Sequence, residues 1–192
     1  MCNICNNNEN IMEVKVCCKN GYDKIKSNPQ IFNNLYDLNI SHSTHTLIYN
    51  FTNLIHLNCS WTAVKIIPKE LINLTFLNCS KTKIKLIPKE LINLKTLYCS
   101  KNEINEIPKE LTNLTHLFCD STKINSIPKE LINLKTLSVF YTNVEFIPKE
   151  LTKLIELSCF STKISVIPKE LINLECLQCC GTNVTKIGRA HV

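Results

Sequence analysis

The sequence predicts a strand-dominated α/β solenoid, with a parallel sheet on the concave face and short helical or extended segments on the convex face. The string Ile-Pro-Lys-Glu-Leu occurs six times at a strict spacing of 20 residues, beginning at Ile67, Ile87, Ile107, Ile127, Ile147 and Ile167. Between these strings each unit reads Leu-x-x-Leu-x-Cys-x-x-Thr-x-Ile, with few departures. A unit of this length cannot bury its own apolar face, so successive units must stack and share one core.

Each unit is expected to supply one short strand. A step such as Leu77, Asn78 and Cys79 places two apolar side chains on one face of a strand and the middle side chain on the other. Seven units open at Leu54, Leu74, Leu94, Leu114, Leu134, Leu154 and Leu174, and a degenerate eighth precedes them with Leu35, Leu38 and Ile40. We therefore divide the chain into a cysteine-containing N-terminal cap, residues 1–34, and a repeat region, residues 35–186.

The Pro-Lys-Glu-Leu segment is expected to begin a short α-helix or 3₁₀ element. Proline at the first helical position loses no hydrogen bond that it would otherwise donate. The lysines and glutamates that follow form two columns along the stack, so that Lys69, for example, can meet Glu90 of the next unit. We expect an exposed ion-pair ladder here, which contributes little stability per pair and mainly keeps this side soluble.

The units resemble the leucine-rich repeat, whose pattern is L-x-x-L-x-L-x-x-N-x-L, from about Leu35 to Ile187. The 20-residue length with Ile-Pro resembles the short repeats of certain bacterial effector proteins. The Cys-Ser-x-Thr variant is similar to leucine-rich repeat proteins of amoeba-infecting giant DNA viruses. The resemblance implies a noncatalytic module that binds a protein or peptide on its concave face and, for a viral protein, acts in the host cytoplasm.

Two positions depart from the pattern of this family. The asparagine of the turn is kept only at Asn102, and threonine replaces it in the other regular units. Threonine has a shorter reach, so the ladder of hydrogen bonds should persist in weaker form. Cysteine replaces the last leucine of the strand in every regular unit except one, where Val139 stands. Because this column accepts cysteine or valine, we expect reduced core thiols rather than a disulfide framework.

Four further cysteines precede the repeats: Cys2, Cys5, Cys17 and Cys18. Their spacing resembles the opening half of a RING-type zinc finger, and a structural zinc ion takes four such ligands. We expect the second half of such a finger to be missing. The two interpretations are a zinc site and a loose cap with free thiols, and the sequence predicts no bound cofactor.

The candidate binding residues lie on the concave face. The non-consensus positions of each strand and the two positions after it hold seven of the eight aromatic residues that follow Leu54. Exposed aromatic side chains are costly in water and are enriched where binding energy concentrates. The alternative is that they cover the sheet and pack against one another. The candidates are Trp61, Phe76, Tyr98, Phe118, Phe140, Tyr141 and Phe160, with His56, His116, Asp120, Glu156 and Gln178 as polar contacts.

We expect no enzyme within these residues. His56 and His116 share a column three units apart, roughly 14 Å at the usual strand spacing, and no phosphate loop, Ser-His-Asp set or carboxylate pair can be assembled. Only Arg189 among the 22 cations is an arginine, which argues against a nucleic-acid partner. No stretch approaches the roughly 20 apolar residues of a membrane helix. We therefore expect a cytoplasmic protein without a membrane, nucleic-acid or small-molecule partner.

Two other functions fit the same pattern. The resemblance to bacterial effectors implies the substrate-recognition part of a ubiquitin ligase, with a zinc-binding N-terminus or a catalytic domain beyond the C-terminus. A purely architectural spacer would instead leave the concave columns freely substitutable.

The last six residues break the repeat. Residues 187–192 read Ile-Gly-Arg-Ala-His-Val where the period predicts Ile-Pro-Lys-Glu-Leu. They resemble the translation of a sequencing adapter and contain the only arginine of the chain. We therefore expect an artefact here and exclude it from the fold.

Overall fold

The computed structural model describes residues 13–15, 35–44, 48 and 51–187, and these form a parallel β-solenoid. Nine strands of three residues stand side by side, in chain order, in one sheet. They are β1 (Glu13–Lys15), β2 (Asp37–Asn39), β3 (His56–Asn58), β4 (Phe76–Asn78), β5 (Thr96–Tyr98), β6 (His116–Phe118), β7 (Thr136–Ser138), β8 (Glu156–Ser158) and β10 (Cys176–Gln178). Two short strands, β9 (Val166–Ile167) and β11 (Lys186–Ile187), pair in a second parallel sheet.

Every strand of the large sheet from β2 onward pairs with its equivalent in the next repeat. Leu57 lies opposite Leu77, and Leu157 lies opposite Leu177, an offset of 20 residues. The offset between β2 and β3 is one residue shorter, since Leu38 lies opposite Leu57. One repeat therefore makes one turn of the solenoid.

The core is a set of apolar columns inside the stack. In one repeat Leu71, Leu74, Leu77, Cys79 and Ile84 are fully buried, and the equivalent positions are buried in the neighbouring repeats. The last repeat closes the core less tightly, with the partly buried side chains of Leu177, Cys179 and Val184. Burial is thus shared between repeats, as expected for units that cannot bury an apolar face alone.

The cysteine column belongs to this core, as predicted. The free thiols with no exposed surface are Cys59, Cys79, Cys99, Cys119 and Cys159, and Val139 is equally buried among them. Burial raises the pKa of each of these thiols, to about 12 for Cys79 and Cys159. Since the thiolate is the reactive form of cysteine, these side chains act as packing groups.

The side of the solenoid that carries the Pro-Lys-Glu-Leu segments is built from turns, so the helical part of the fold prediction is wrong within the described residues. Leu71 N donates to Pro68 O (3.3 Å) and Leu74 N donates to Leu71 O (3.1 Å), and the later repeats do the same. Both leucines are fully buried, and β4 begins two residues after the second. Two successive turns bury Leu71 and Leu74 in the few residues between Pro68 and β4. An α-helix would instead need a run of hydrogen bonds between residues four apart. The sequence analysis also allowed extended segments on this side, and β9 and β11 are such segments.

Threonine and asparagine act differently in the turn after each strand. Thr62 Oγ1 donates to Cys59 O at 2.6 Å, within its own repeat, and the other turn threonines do the same. Asn102 reaches the preceding repeat, where its Nδ2 donates to Cys79 O (2.7 Å) and its Oδ1 accepts from Thr82 N (2.8 Å). In the turns of residues 59–182, the predicted ladder is thus a series of separate bonds within repeats, with Asn102 as a bridge between two of them.

A second asparagine ladder, which the sequence analysis did not predict, joins the repeats on the turn side. Asn93 Nδ2 donates to Ile72 O at 2.9 Å, 21 residues earlier. The same bond is made by Asn73, Asn113, Asn133 and Asn173. Lys153 occupies the equivalent position in one repeat and donates to Asn133 Oδ1 at 2.8 Å. These bonds give turn carbonyls a partner that the threonines do not supply.

The lysine and glutamate columns of the turn side do not pair with each other in the described residues, so the predicted ion-pair ladder is wrong. The Lys–Glu pairs of the described residues lie at other positions of the repeat. They join Lys85 (3.9 Å) and Lys123 (3.7 Å) to Glu103, and Lys163 (3.4 Å) to Glu145. All five side chains are at least half exposed. Solvent-exposed pairs gain little because screening and side-chain entropy offset their attraction.

Candidate functional site

The candidate site is the open face of the nine-stranded sheet. In β4 the central Leu77 is buried, whereas Phe76 and Asn78 on either side of it are half-buried and point away from the core. The positions equivalent to Ser80 and Lys81, after the buried cysteine, follow directly. We call these four columns the open face. All twelve predicted binding residues belong to them.

Aromatic side chains from adjacent strands contact one another on the open face. The first ring cluster consists of His56, Phe76, Tyr98 and Phe118. Tyr98 and Phe118 stack with centroids 4.4 Å apart and planes 1° from parallel. Phe76 tilts against Tyr98 at 5.8 Å, and His56 meets Phe76 edge-on at 6.1 Å. Strand pairing places His56 opposite Phe76 and Tyr98 opposite Phe118. The contact between Phe76 and Tyr98 is diagonal, because Phe76 lies opposite Thr96.

A second ring cluster, formed by Phe140, Tyr141 and Phe160, lies nearer the C-terminal end. Phe140 and Phe160 stack at 4.5 Å, and Tyr141 meets both rings edge-on at 5.8 and 5.4 Å. Tyr141 is 60% exposed, and the two phenylalanines are half-buried. The rings therefore pack together, as the alternative interpretation expects, and still offer apolar surface to a partner.

Trp61 forms a separate aromatic contact in the first regular repeat. It stacks on His42 with centroids 5.2 Å apart, and Lys81 Nζ lies 3.1 Å from its ring centroid, a cation–π contact. Desolvation and then the neighbouring charge of Lys101 lower the pKa of Lys81. The indole remains 51% exposed. Sequence reasoning missed the contact of Lys81 with the indole ring, although the position of Lys81 one repeat after the tryptophan could have indicated it.

Trp61 and Tyr141 share a backbone position that is left-handed in every regular repeat. Their φ angles are 58° and 54°, and Gly181 occupies the equivalent position at 67°. Side chains other than glycine, asparagine and aspartate are uncommon in this region because the Cβ atom crowds the backbone. Two large aromatic residues thus stand where the backbone itself favours glycine.

Asp120 is the most constrained polar residue of the open face. It is 6% exposed, and its Oδ1 accepts bonds from Ser138 Oγ (2.5 Å) and Phe140 N (3.2 Å), while its Oδ2 accepts one from Ser100 Oγ (3.2 Å). Burial raises the pKa of Asp120, and these hydrogen bonds oppose the rise. A carboxylate this enclosed is held in one orientation. Sequence reasoning found Asp120 but missed the serines that fix it.

Of the other predicted polar residues, the two histidines lie apart from each other. His56 Nδ1 contacts Asp37 Oδ2 at 3.1 Å in the preceding strand, and His116 Nδ1 contacts Thr115 Oγ1 at 2.8 Å. Three strand pairings separate the two histidines, as the sequence predicts. Glu156 is exposed, and Gln178 accepts a bond from Ser158 Oγ at 3.2 Å. The two histidines are therefore separate polar contacts, whereas Glu156 and Gln178 line one cavity with Asp120.

Two cavities of similar size open on this face. One, of about 300 Å³, is lined by Asp37, Asn39, His56, Asn58 and Phe76. The other, of about 310 Å³, lies between the two ring clusters. Its lining includes Phe118, Asp120, Ser138, Phe140, Glu156, Ser158 and Gln178.

No group of three or more metal-binding side chains occurs in the part of the chain that the structure describes. The four N-terminal candidate ligands, Cys2, Cys5, Cys17 and Cys18, lie outside the described residues. The sequence analysis expected the second half of a finger to be missing, but it overlooked a later Cys-x-x-Cys formed by Cys176 and Cys179. Cys176, in β10, is exposed on the open face, and Cys179, just after β10, is partly buried against the core, so the two side chains lie on opposite sides of the sheet.

The described residues contain no helix with the length and apolar character that crossing a membrane requires. No family model and no curated protein matches the sequence.

Several solved structures share the architecture. An internalin (inlF) from Listeria monocytogenes superposes with a TM-score of 0.75 and 18% identity, over 93% of this chain and 59% of its own. The functional domain of InlJ from the same organism, described as including a cysteine ladder, gives 0.73 and 22%, over 93% and 41%. YopM from Yersinia enterocolitica gives 0.67 and 20%, over 83% and 37%. The fold is that of leucine-rich repeat proteins. Identities this low show the fold alone, and this chain spans less than two thirds of each of the three.

Proposed function

We propose that this leucine-rich repeat solenoid is a noncatalytic module that binds a protein or peptide on its open face, which is the predicted concave face. The observation that carries the proposal is the pair of ring clusters on a surface that the fold does not require to be aromatic. The buried leucine and cysteine columns already supply the core. The rings add apolar surface, and aromatic side chains are where binding energy concentrates in protein interfaces.

The backbone of the open face supports the same conclusion. Trp61 and Tyr141 stand at left-handed positions and are more than half exposed. Neither feature helps the isolated chain, because the backbone is strained there and the rings contact water. A partner that covers these rings would offset both costs.

The compartment of the protein is part of the proposal. The buried cysteines of the core column are free thiols with raised pKa values. Free thiols in this number favour a reducing compartment, for which the cytoplasm is our proposal.

The test is selection of binders from a displayed library of random twelve-residue peptides, followed by affinity measurement by fluorescence anisotropy. Replacing Tyr98 and Phe118 together by alanine should weaken the selected peptides at least tenfold, about 1.4 kcal/mol, with an unchanged circular dichroism spectrum. The matched control replaces Ile72 and Ile92 by alanine, because both are half exposed but lie in the convex turns. This control should bind normally.

Two results would contradict the proposal. Either the library yields no enriched peptide, or the enriched peptides bind the Tyr98→Ala/Phe118→Ala variant as well as they bind the parent. If that variant loses structure, single changes at the exposed Trp61 and Tyr141 take its place in the same measurement.

The ubiquitin-ligase alternative depends on residues outside the described range. It requires zinc at Cys2, Cys5, Cys17 and Cys18 or a catalytic domain in a longer chain. Metal analysis of the reduced, purified protein tests the first version, and one zinc ion per chain is the result that would favour it.

A further inference from the structure

We propose that the cavity between the two ring clusters receives a basic side chain of the partner, arginine by preference. The inference rests on the proposed function, because it names the chemistry that the open face recognises. It is carried by the shape of the cavity, by its charge and by the fixed orientation of one of its carboxylates.

The cavity exists because a column of rings is interrupted. Strand pairing aligns Tyr98 with Phe118 and then with Ser138 and Ser158. The two serines leave a recess where rings would otherwise continue, while Phe118 and Phe140 remain in its lining. A planar guanidinium gains attraction from the face of an aromatic ring and stacks on it, which a compact ammonium does less well.

The charge of the cavity is opposite to that of the chain. The chain carries 22 Lys and Arg residues against 16 Asp and Glu, yet the cavity is lined by Asp120 and Glu156 and by no lysine, arginine or histidine. In the described residues, neither carboxylate forms an ion pair with a cation. The cavity is therefore a negative recess without a counter-charge from the described chain.

Both carboxylates keep acceptor capacity for a ligand. Asp120 Oδ2 accepts one hydrogen bond, from Ser100, and Glu156 Oε2 is 3.5 Å from Thr136 Oγ1, a weak contact. A carboxylate oxygen can accept about two bonds. The three bonds to Asp120 also fix its direction before a partner arrives, which lowers the entropic cost of binding.

The second cavity of the open face provides an internal contrast. Its volume is nearly the same, but its carboxylate, Asp37, already contacts His56 at 3.1 Å. The acidic group there has a partner within the chain. We therefore expect a basic side chain in the cavity of Asp120 and Glu156 only.

A titration that needs no natural partner tests the proposal. N-acetyl-argininamide is added to the full chain and followed by two-dimensional ¹H–¹⁵N NMR, with the neutral N-acetyl-citrullinamide as control. We expect saturable shifts at the amides of Phe118, Ser138 and Ser158 with the arginine compound and at least tenfold weaker binding of the citrulline compound. An equal response to both compounds, or a response to neither, would overturn the proposal.

Two double variants locate the binding. Asp120→Asn with Glu156→Gln should abolish the response to argininamide. Glu103→Gln with Glu145→Gln changes the net charge equally at exposed sites outside the cavity and should preserve the response. Loss in both pairs would show attraction to overall charge, and the cavity would then have no specific part.

The selected peptides separate this inference from the proposed function. Exchanging their arginines for citrulline should lower their affinity at least tenfold for the parent but not for the Asp120→Asn/Glu156→Gln variant. Some peptides could need Tyr98 and Phe118 for binding but bind equally well with citrulline in place of arginine. That result would support the binding function and contradict the basic-side-chain inference. Failure of the selection itself would count against the binding function, and the argininamide titration would still decide the inference.

Discussion

The two faces of each strand obey opposite rules. On the inner face, the central leucine and the cysteine three positions before the turn threonine recur in nearly every repeat and are buried in all but the last one. On the open face, the column that contains Phe76 changes in almost every repeat. From β3 to β10 it reads His56, Phe76, Thr96, His116, Thr136, Glu156 and Cys176.

This difference shows which residues are constrained by packing in the core and which are free for another purpose. Stacked repeats impose the same packing environment at each inner position, because each repeat contacts only its neighbours. The open positions are free of that requirement. Their side chains are rings and carboxylates at particular repeats, and this variation is what a specific surface needs.

The largest effect is expected from the inner face. Replacing Leu97 by alanine should destabilise the protein by about 3–5 kcal/mol, because it removes a fully buried side chain and leaves a cavity between two neighbouring repeats. Leu86→Ala is the matched control, since Leu86 is 61% exposed. Urea unfolding followed by circular dichroism measures both. Similar losses for the two variants would contradict the assignment of the inner columns as the part of the molecule that determines stability.

A smaller effect is expected where the inner turns differ from one another. Asn102→Ala removes bonds to Cys79 O and Thr82 N of the preceding repeat and a longer bond to Cys99 O of its own. Thr142→Ala removes only the bond to Val139 O within its own repeat. Both side chains are buried. We expect a loss of about 2–3 kcal/mol for the asparagine and about 1 kcal/mol for the threonine.

Urea unfolding again provides the measurement, and the order of the two losses is the result that matters. A larger loss at Thr142 would show that the bridge between repeats contributes less than the bond that shapes each turn. A steeper dependence of the Asn102 variant on denaturant would indicate a change in the unfolded state instead.

The fold could be predicted because its determinants recur every 20 residues. The buried columns, the parallel register and the placement of Cys79 and its equivalents all follow from apolar spacing. The helical prediction failed at the Pro-Lys-Glu-Leu segment because proline at a first helical position fits a turn equally well. The spacing between Leu71 and Leu74 was the discriminating signal.

The site could be predicted only in part. Alternation along the strand placed the aromatic residues on one face, and the period put them near one another. The pairing of Asp37 with His56, the bonds around Asp120 and the cation above Trp61 depend on side-chain directions that the period does not contain. The ion-pair ladder failed for the same reason, since adjacent columns of opposite charge do not have to meet.

The smallest effect concerns Asp120, an open-face carboxylate that is buried. Burial raises the pKa of its carboxyl above the value in the unfolded chain. The folded state therefore binds the proton more readily, and stability falls as pH rises from the unfolded pKa through the folded one. Charged or titratable neighbours are Glu156 and Cys176 in the same cavity and the buried thiols of Cys99 and Cys119. At neutral pH the charged form carries a desolvation cost that a neutral side chain would avoid.

Asp120→Asn should consequently be as stable as the parent near pH 3 and slightly more stable at pH 7, because an amide oxygen can still accept from Ser138 and Phe140. Urea unfolding across this range measures the difference, with the exposed Glu156→Gln as the control that should lack the gain. If the same substitution also weakens argininamide binding, the carboxylate is kept at a cost to stability, which is the pattern expected of a functional group. A clear loss of stability at pH 7 would mean that its hydrogen bonds outweigh its desolvation, and Asp120 would then belong with the residues of the fold.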